Sequence, residues 1–149
     1  MNTLELSVIE NAINILSASL KSTKNPEFTS STFTRKYLSL EMSNEWREVF
    51  SVMFLNTQHQ LISFKKLFFG TLNSAEVHPR VIAKEALLVD ATAIILCHNH
   101  PSGNINPSHA DISLTKRLIE SLSLFDIKVL DHIIVSQSET YSLSEAGHI

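Results

Sequence analysis

Glycine is nearly missing from this chain: Gly70, Gly103 and Gly147 are the three in 149 residues. A phosphate cradle of the GxGxxG or GxxxxGK[ST] kind needs several glycines in one loop, so nucleotide binding through such a loop is excluded. Cysteine is scarcer still. The lone Cys97 excludes an internal disulfide and any four-cysteine zinc site. No uninterrupted apolar run approaches the ~20 residues of a membrane span. The stretch Met1 to Leu6 carries no positive charge and places Glu5 where a signal peptide is basic, so the expected location is cytoplasmic. Positive charge is in short supply overall, with 12 Lys+Arg against 15 Asp+Glu and a net charge of −3. Binding to a nucleic-acid backbone needs a concentrated positive surface, and this total supplies none. Charged residues make up 18% of the chain and hydrophobic ones 44%. Disordered tails and coiled coils are more polar, so one core of ordinary domain size is the expectation.

Neither an internal repeat nor a low-complexity tract is present. From Leu4 to Leu20 the residues Leu4, Val8, Ile9, Ala12, Ile13, Leu16 and Leu20 recur at three- and four-residue steps, the pattern of an amphipathic helix. Its apolar face leaves two placements open, against its own domain or against another chain. The Asn25-Pro26 pair marks a break, and Ser30 to Leu40 reads as a second short helix with Ser31 or Thr32 as cap. The period then shortens. Val49 to Leu55 is rich in strand formers, Gln58-His59-Gln60 reads as a polar turn, and strands are expected at Leu61–Phe64 and again at Lys66–Phe69. His78-Pro79 opens a helix with Val81, Ile82, Ala86 and Leu87 as its inward stripe. Ala91 to Cys97 is a nearly continuous apolar run, as a strand covered on both faces should be. A loop, Asn99 to Pro107, leads to a helix from Ser108 to near Phe125 with Ile112, Leu118, Ile119 and Leu122 facing inward. Ile127–Val135 and Thr140–Leu143 follow as strands. The fold class is α/β or α+β: a mixed β-sheet flanked by helices, with residues 1–42 a helical N-terminal extension and 43–149 the main domain.

Histidine is what the sequence has in excess, with seven residues. His98 and His100 lie two apart at the end of the buried strand, and side chains at i and i+2 of an extended segment point the same way. Both imidazoles therefore converge, while Cys97 and Asn99 face away. The loop after Pro101 is too short to wander, so the helix opened by Ser108-His109-Ala110-Asp111 returns the Asp111 carboxylate toward the histidines. Two imidazoles plus a carboxylate, with a fourth position open, is the ligand set of a catalytic zinc site. Ser-x-x-Asp is equally a capping box; a cap and a ligand use the same helix end, so both readings can hold. His109 reads as a surface residue.

The string His98-x-His100-Pro101-x₆-Ser108-x-x-Asp111 resembles the JAMM (MPN+) metalloprotease motif. The surrounding His98-Asn-His-Pro-Ser-Gly103, Pro107-Ser108 and Asp131-His132-Ile-Ile-Val135 are similar to its RadC-like branch, from about Ser43 to the C-terminus. The resemblance implies a cytidine-deaminase-like core and one zinc ion per chain, held by His98, His100 and Asp111. It also implies a water at the fourth position and hydrolysis of a peptide or isopeptide bond in a protein substrate. The family uses an upstream glutamate as general base. Glu48, in Arg47-Glu48-Val49-Phe50, fits that place better than Glu41 or the runner-up Glu45. Ser108 would donate a hydrogen bond to the tetrahedral oxyanion.

Other polar residues have plainer readings. Asp131 or His132 would supply a hydrogen bond to a ligand imidazole, or else form a satisfied core pair. Arg80 belongs to a structural turn unless it holds a substrate carboxylate, His59 to a turn and His148 to the tail, and Trp46 covers the core unless it lines the cleft. Competing families fail on simple grounds. An amidohydrolase barrel needs about 250 residues, the deaminase pattern needs more cysteines, and His98-Asn99-His100 is not the spread motif of HNH nucleases. Two alternatives to a hydrolase stand beside it: a non-catalytic interaction module on the same fold, and an accessory role in DNA repair. Residues 1–42 contain no glycine, whereas the helix-hairpin-helix of longer RadC-like chains wants it, which weakens the second.

Overall fold

A computed structural model describes residues 1–21, 31–70 and 76–149. Helix α1 (Thr3–Leu20) opens on a capping box between Asn2 and Glu5. It leans Ile13, Leu16 and Leu20 toward Tyr37, Leu38 and Met42 of α2 (Ser31–Met42). Ser31 and Thr32 are the opening residues of α2 itself rather than its cap, and the expected Asn25-Pro26 break lies outside the described residues. Glu145, near the C-terminus, accepts from Ser31 Oγ at 2.6 Å and pairs with Arg35, tying α2 to the end of the chain. No helix among the described residues is long and apolar enough to cross a membrane.

Strands β1 (Val49–Leu55) and β2 (Leu61–Phe69) form an antiparallel hairpin. The two strands expected between residues 61 and 69 are one. Their apparent interruption, Lys65-Lys66, sits in an edge strand whose interior residues are all half-buried. Lys65 reaches Glu85 on one side and Lys66 reaches Glu45 on the other, so charge is accommodated without a break. After α3 (Pro79–Leu88) and β3 (Ala93–Asn99), α4 (His109–Ser123) crosses to β4 (Lys128–Val135), and β5 (Thr140–Ser142) closes the sheet. The order is β2-β1-β3-β4-β5, with β3 and β4 parallel and the other pairs antiparallel. In α3 the buried residues are Ile82, Ala83 and Ala86, and Leu87 is 52% exposed. Three- and four-residue spacing serves either stripe equally, and packing chooses the alanine side. In α4 the inward residues Leu118 and Leu122 are joined by Leu114 and Thr115.

Helices cover both faces of the sheet. Phe50, Val52 and Phe54 of β1 and Ile94 and Leu96 of β3 meet α3 and α4 on one face. Val49, Met53, Leu55, Ala93 and Cys97 meet α1 and α2 on the other. Strict alternation runs through β3, which sends His98 to the α4 face. It fails in β4, where Ile94 pairs with Val129 and Ile95 with Asp131, leaving Leu130 as an extra residue. This β-bulge resets the alternation, so that Val129 and His132, three residues apart, both face α4, while Leu130 and Ile133 face α2. Trp46, expected to cover the core, is 83% exposed, its ring instead met by the Arg47 guanidinium at 5.8 Å.

Candidate metal centre

The C-terminal end of β3 carries His98, 2% exposed, and the chain continues extended to His100, whose amide donates to Val135 at 2.8 Å. The two imidazoles meet with Nε2 atoms 2.8 Å apart. Ser108 caps α4: its side chain accepts from the Asp111 amide and the Asp111 carboxylate accepts from the Ser108 amide at 2.8 Å. That cap aims the carboxylate, with Oδ1 3.4 Å from His98 Nε2 and Oδ2, the capping oxygen, 3.5 Å from His100 Nε2. The cap and the convergence coexist in one side chain, as the sequence allows.

These donors suit a small, tetrahedral cation. Ligand atoms ~2.0–2.1 Å from zinc stand roughly 3.3–3.4 Å apart in a tetrahedron, close to the two imidazole–carboxylate separations. The imidazole–imidazole distance, 2.8 Å, is shorter than that spacing. The electrostatics agree. Burial lowers the His98 pKa to about 4, against the pull of Asp111, so its ring is neutral. Its bond to Asp111 raises the His100 pKa, opposed by burial. Burial pushes the Asp111 carboxyl up, yet the bonds from His100 and from the Ser108 groups outweigh it and hold the acid well below the usual carboxylate range.

Each imidazole is gripped from behind. His100 Nδ1 lies 2.6 Å from the Asn104 carbonyl. His98 Nδ1 lies 2.7 Å from His132 Nε2, and His132 Nδ1 lies 2.6 Å from Thr115 Oγ1. Of the Asp131-His132 pair it is thus the histidine that touches the candidate ligand. Asp131 accepts from Ser142 Oγ and the Ser144 amide at the sheet edge.

Glu48 precedes β1, and its carboxylate and the ligand nitrogens of His98 and His100 all lie within 4.8 Å of one another. Asn99 places it. On the face opposite the histidines, Asn99 Oδ1 accepts from the Val49 amide at 2.7 Å and Nδ2 donates to the Arg47 carbonyl at 2.8 Å, gripping the backbone on both sides of Glu48. From the sequence, Asn99 is expected only to face away from the histidines. The available signal is a polar side chain on the buried Cys97 face, which must find partners. Glu45 is engaged with Lys66 at 2.7 Å. Among the remaining histidines, His148 meets Tyr141 at 3.0 Å, His59 occupies the β1–β2 turn at φ +59°, and His109 is exposed. Arg80 is exposed on α3. Glu48 and His100 line a cleft of about 380 Å³ with Pro101, Ser102, Asn104 and Asn106. A second cleft of about 260 Å³, lined by Trp46, Asn99 and Gln137 among others, shares His100 and Pro101 with it.

Comparison with known proteins accords with this geometry. A family model for the RadC-like JAB domain matches residues 28–148. The UPF0758 protein of Pseudoalteromonas atlantica (strain T6c / ATCC BAA-1087) is 49% identical over 122 residues, which cover 82% of this chain and 54% of that protein. The UPF0758 protein YfjY of Escherichia coli (strain K12) is 45% identical over 139 residues, 93% of this chain and 86% of that protein. The chain thus spans about half the length of the first relative and most of the second. With a mixed sheet covered by helices, a histidine pair at the end of β3 and a family match over most of its length, the chain belongs to the RadC-like JAB domain family.

Proposed function

We propose that this chain is a zinc-dependent hydrolase of peptide or isopeptide bonds, with His98, His100 and Asp111 as metal ligands. The observation that carries the reading is the convergence of two imidazole Nε2 atoms and one carboxylate, 2.8 to 3.5 Å apart, with a further carboxylate beside them. When bound, zinc polarises a substrate carbonyl and lowers the pKa of a coordinated water from ~15.7 to ~7. Glu48 takes a proton from the attacking water and returns it to the departing amine, as general base and then acid. Ser108, at the exposed start of α4, donates to the developing oxyanion; loss of one such donor costs ~10²–10³ in rate. Asn99 holds the backbone that carries Glu48. The two clefts that share His100 and Pro101 give an extended chain room beside the site.

The test is metal content together with peptide cleavage. Purified protein supplied with zinc should hold about one ion per chain by plasma mass spectrometry, lost in His98→Ala and Asp111→Asn. Glu48→Gln should retain zinc and lose cleavage of a mixed peptide pool read by mass spectrometry. Folded wild-type protein that takes up no zinc overturns the reading. Zinc uptake without cleavage favours the interaction module.

A further inference from the structure

Behind the histidines a continuous buried line of hydrogen bonds runs from β3 through β4 into α4. His98 Nδ1 lies 2.7 Å from His132 Nε2, His132 Nδ1 lies 2.6 Å from Thr115 Oγ1, and Thr115 Oγ1 donates to the Asp111 carbonyl at 2.6 Å. His132 and Thr115 are fully enclosed, and Phe50 packs on both His98 and His132. The direction of the line follows from its far end. A carbonyl oxygen carries no proton, so the single hydroxyl proton of Thr115 lies on the bond to Asp111. The Thr115 oxygen must then accept from His132 Nδ1–H. A neutral imidazole has one N–H, so His132 Nε2 presents a lone pair and accepts from His98 Nδ1–H. His98 is left with its lone pair on Nε2, the atom that faces Asp111 and His100. The opposite direction would put a proton on His98 Nε2 and close that position to a cation. His100 reaches the same state by a shorter route, because its Nδ1 can only donate to the Asn104 carbonyl.

We infer that His132 and Thr115 are positioning residues that lock His98 in the Nδ1–H tautomer and tether it to the helical turn bearing Asp111, so that the ligand lone pair is presented before any metal arrives. The inference rests on the reading of His98, His100 and Asp111 as zinc ligands. The line joins one ligand to the other: Thr115 stands one helical turn beyond Asp111 on the same face of α4, and its hydroxyl holds the backbone of that residue. Outer partners of this kind raise ligand basicity and fix ring orientation, and their loss typically costs about 10–100-fold in metal affinity.

The experiment needs no substrate. Long-range ¹H–¹⁵N correlation spectra of the metal-free full chain report which ring nitrogen carries the proton, and competition with a chromophoric chelator gives the zinc dissociation constant. In the wild type, His98 should be protonated on Nδ1. Thr115→Val preserves shape and removes the acceptor for His132; His98 should shift toward the Nε2–H form, and zinc should bind about 10–100-fold more weakly. Thr115→Ser should restore both, and His132→Leu should weaken zinc by a similar factor. Wild-type His98 protonated on Nε2 overturns the inference, as does an unchanged tautomer and zinc affinity in Thr115→Val. A wild type that binds no zinc overturns the reading of the site, and the tautomer still decides the relay.

Discussion

The Asp111 carboxylate accepts the Ser108 amide at 2.8 Å and lies 3.5 Å from His100, so substitutions at these two positions should separate capping from ligation. Ser108→Ala is expected to cost about 1 kcal/mol in urea unfolding through the lost cap and to keep zinc. Asp111→Asn, whose amide oxygen still accepts from the Ser108 amide, is expected to lose zinc with a comparable or smaller cost. On the opposite side of β3, Asn99→Ala strands the buried Val49 amide and frees the half-buried Arg47 carbonyl, a loss of about 1–3 kcal/mol that urea titration would read. Cys97 is fully enclosed and burial pushes its thiol up to about 12. Disulfide reagents at pH 8 should leave it untouched until denaturant is added. At this scale the convergence of the candidate ligands is readable because i and i+2 on a strand share a face and a cap fixes a helix start. The partner of His98 was readable only as a choice between Asp131 and His132, since side-chain parity at that point depends on a bulge. Of the two places open to Trp46, a large aromatic favours the core, yet the ring is exposed and lines a cleft with Asn99 and His100.

Among the elements, strands and helices follow from period and punctuation, but the face each presents does not always follow. Val49 to Leu55 forms β1 as expected, and Pro79 stands at the start of α3 as its fixed φ favours. The stripe of α3 was misplaced toward Leu87, since Ile82-Ala83-Ala86 satisfies the same spacing. That difference is testable. Ile82→Ala should cost about 2–5 kcal/mol, measured by urea unfolding, because Ile82 is fully enclosed between α3 and the sheet. Leu87→Ser should shift stability by no more than about 0.5 kcal/mol. Equal effects at the two positions would place the helix on its other flank. The merging of the second hairpin strand has a related cause: paired lysines end a buried strand but not an edge strand, and edge position is a property of the whole sheet.

For the molecule as a whole, the candidate ligands come from the end of β3 and the first turn of α4, while Glu48 precedes β1. A cation there would join the sheet to the layer that covers it. Anything that binds the folded chain and not the unfolded one stabilises by mass action, about 2.7 kcal/mol at free ligand 100 times its dissociation constant. For a chain of this size that corresponds to a rise of roughly 5–11 °C in Tm, which calorimetry should record on adding zinc and lose on adding chelator or in Asp111→Asn. The alternation of strand and helix patterns along the chain makes the mixed sheet legible. The pairing order did not follow from them, because the parallel β3–β4 pair is decided by where α4 packs.

The extra residue in β4 bears on where errors in that strand would be felt. A bulge shifts the register of the residues beyond it by one and so decides which face of the sheet each of them meets. Here the bulge lies upstream of Asp131, at Leu130. Shifted past Ile134, the same sequence would still build a five-stranded sheet, but Ile133 would turn toward α4 and His132 would turn toward Met42. The imidazole that steadies His98 is therefore assigned by a location in the backbone as much as by a residue in the sequence.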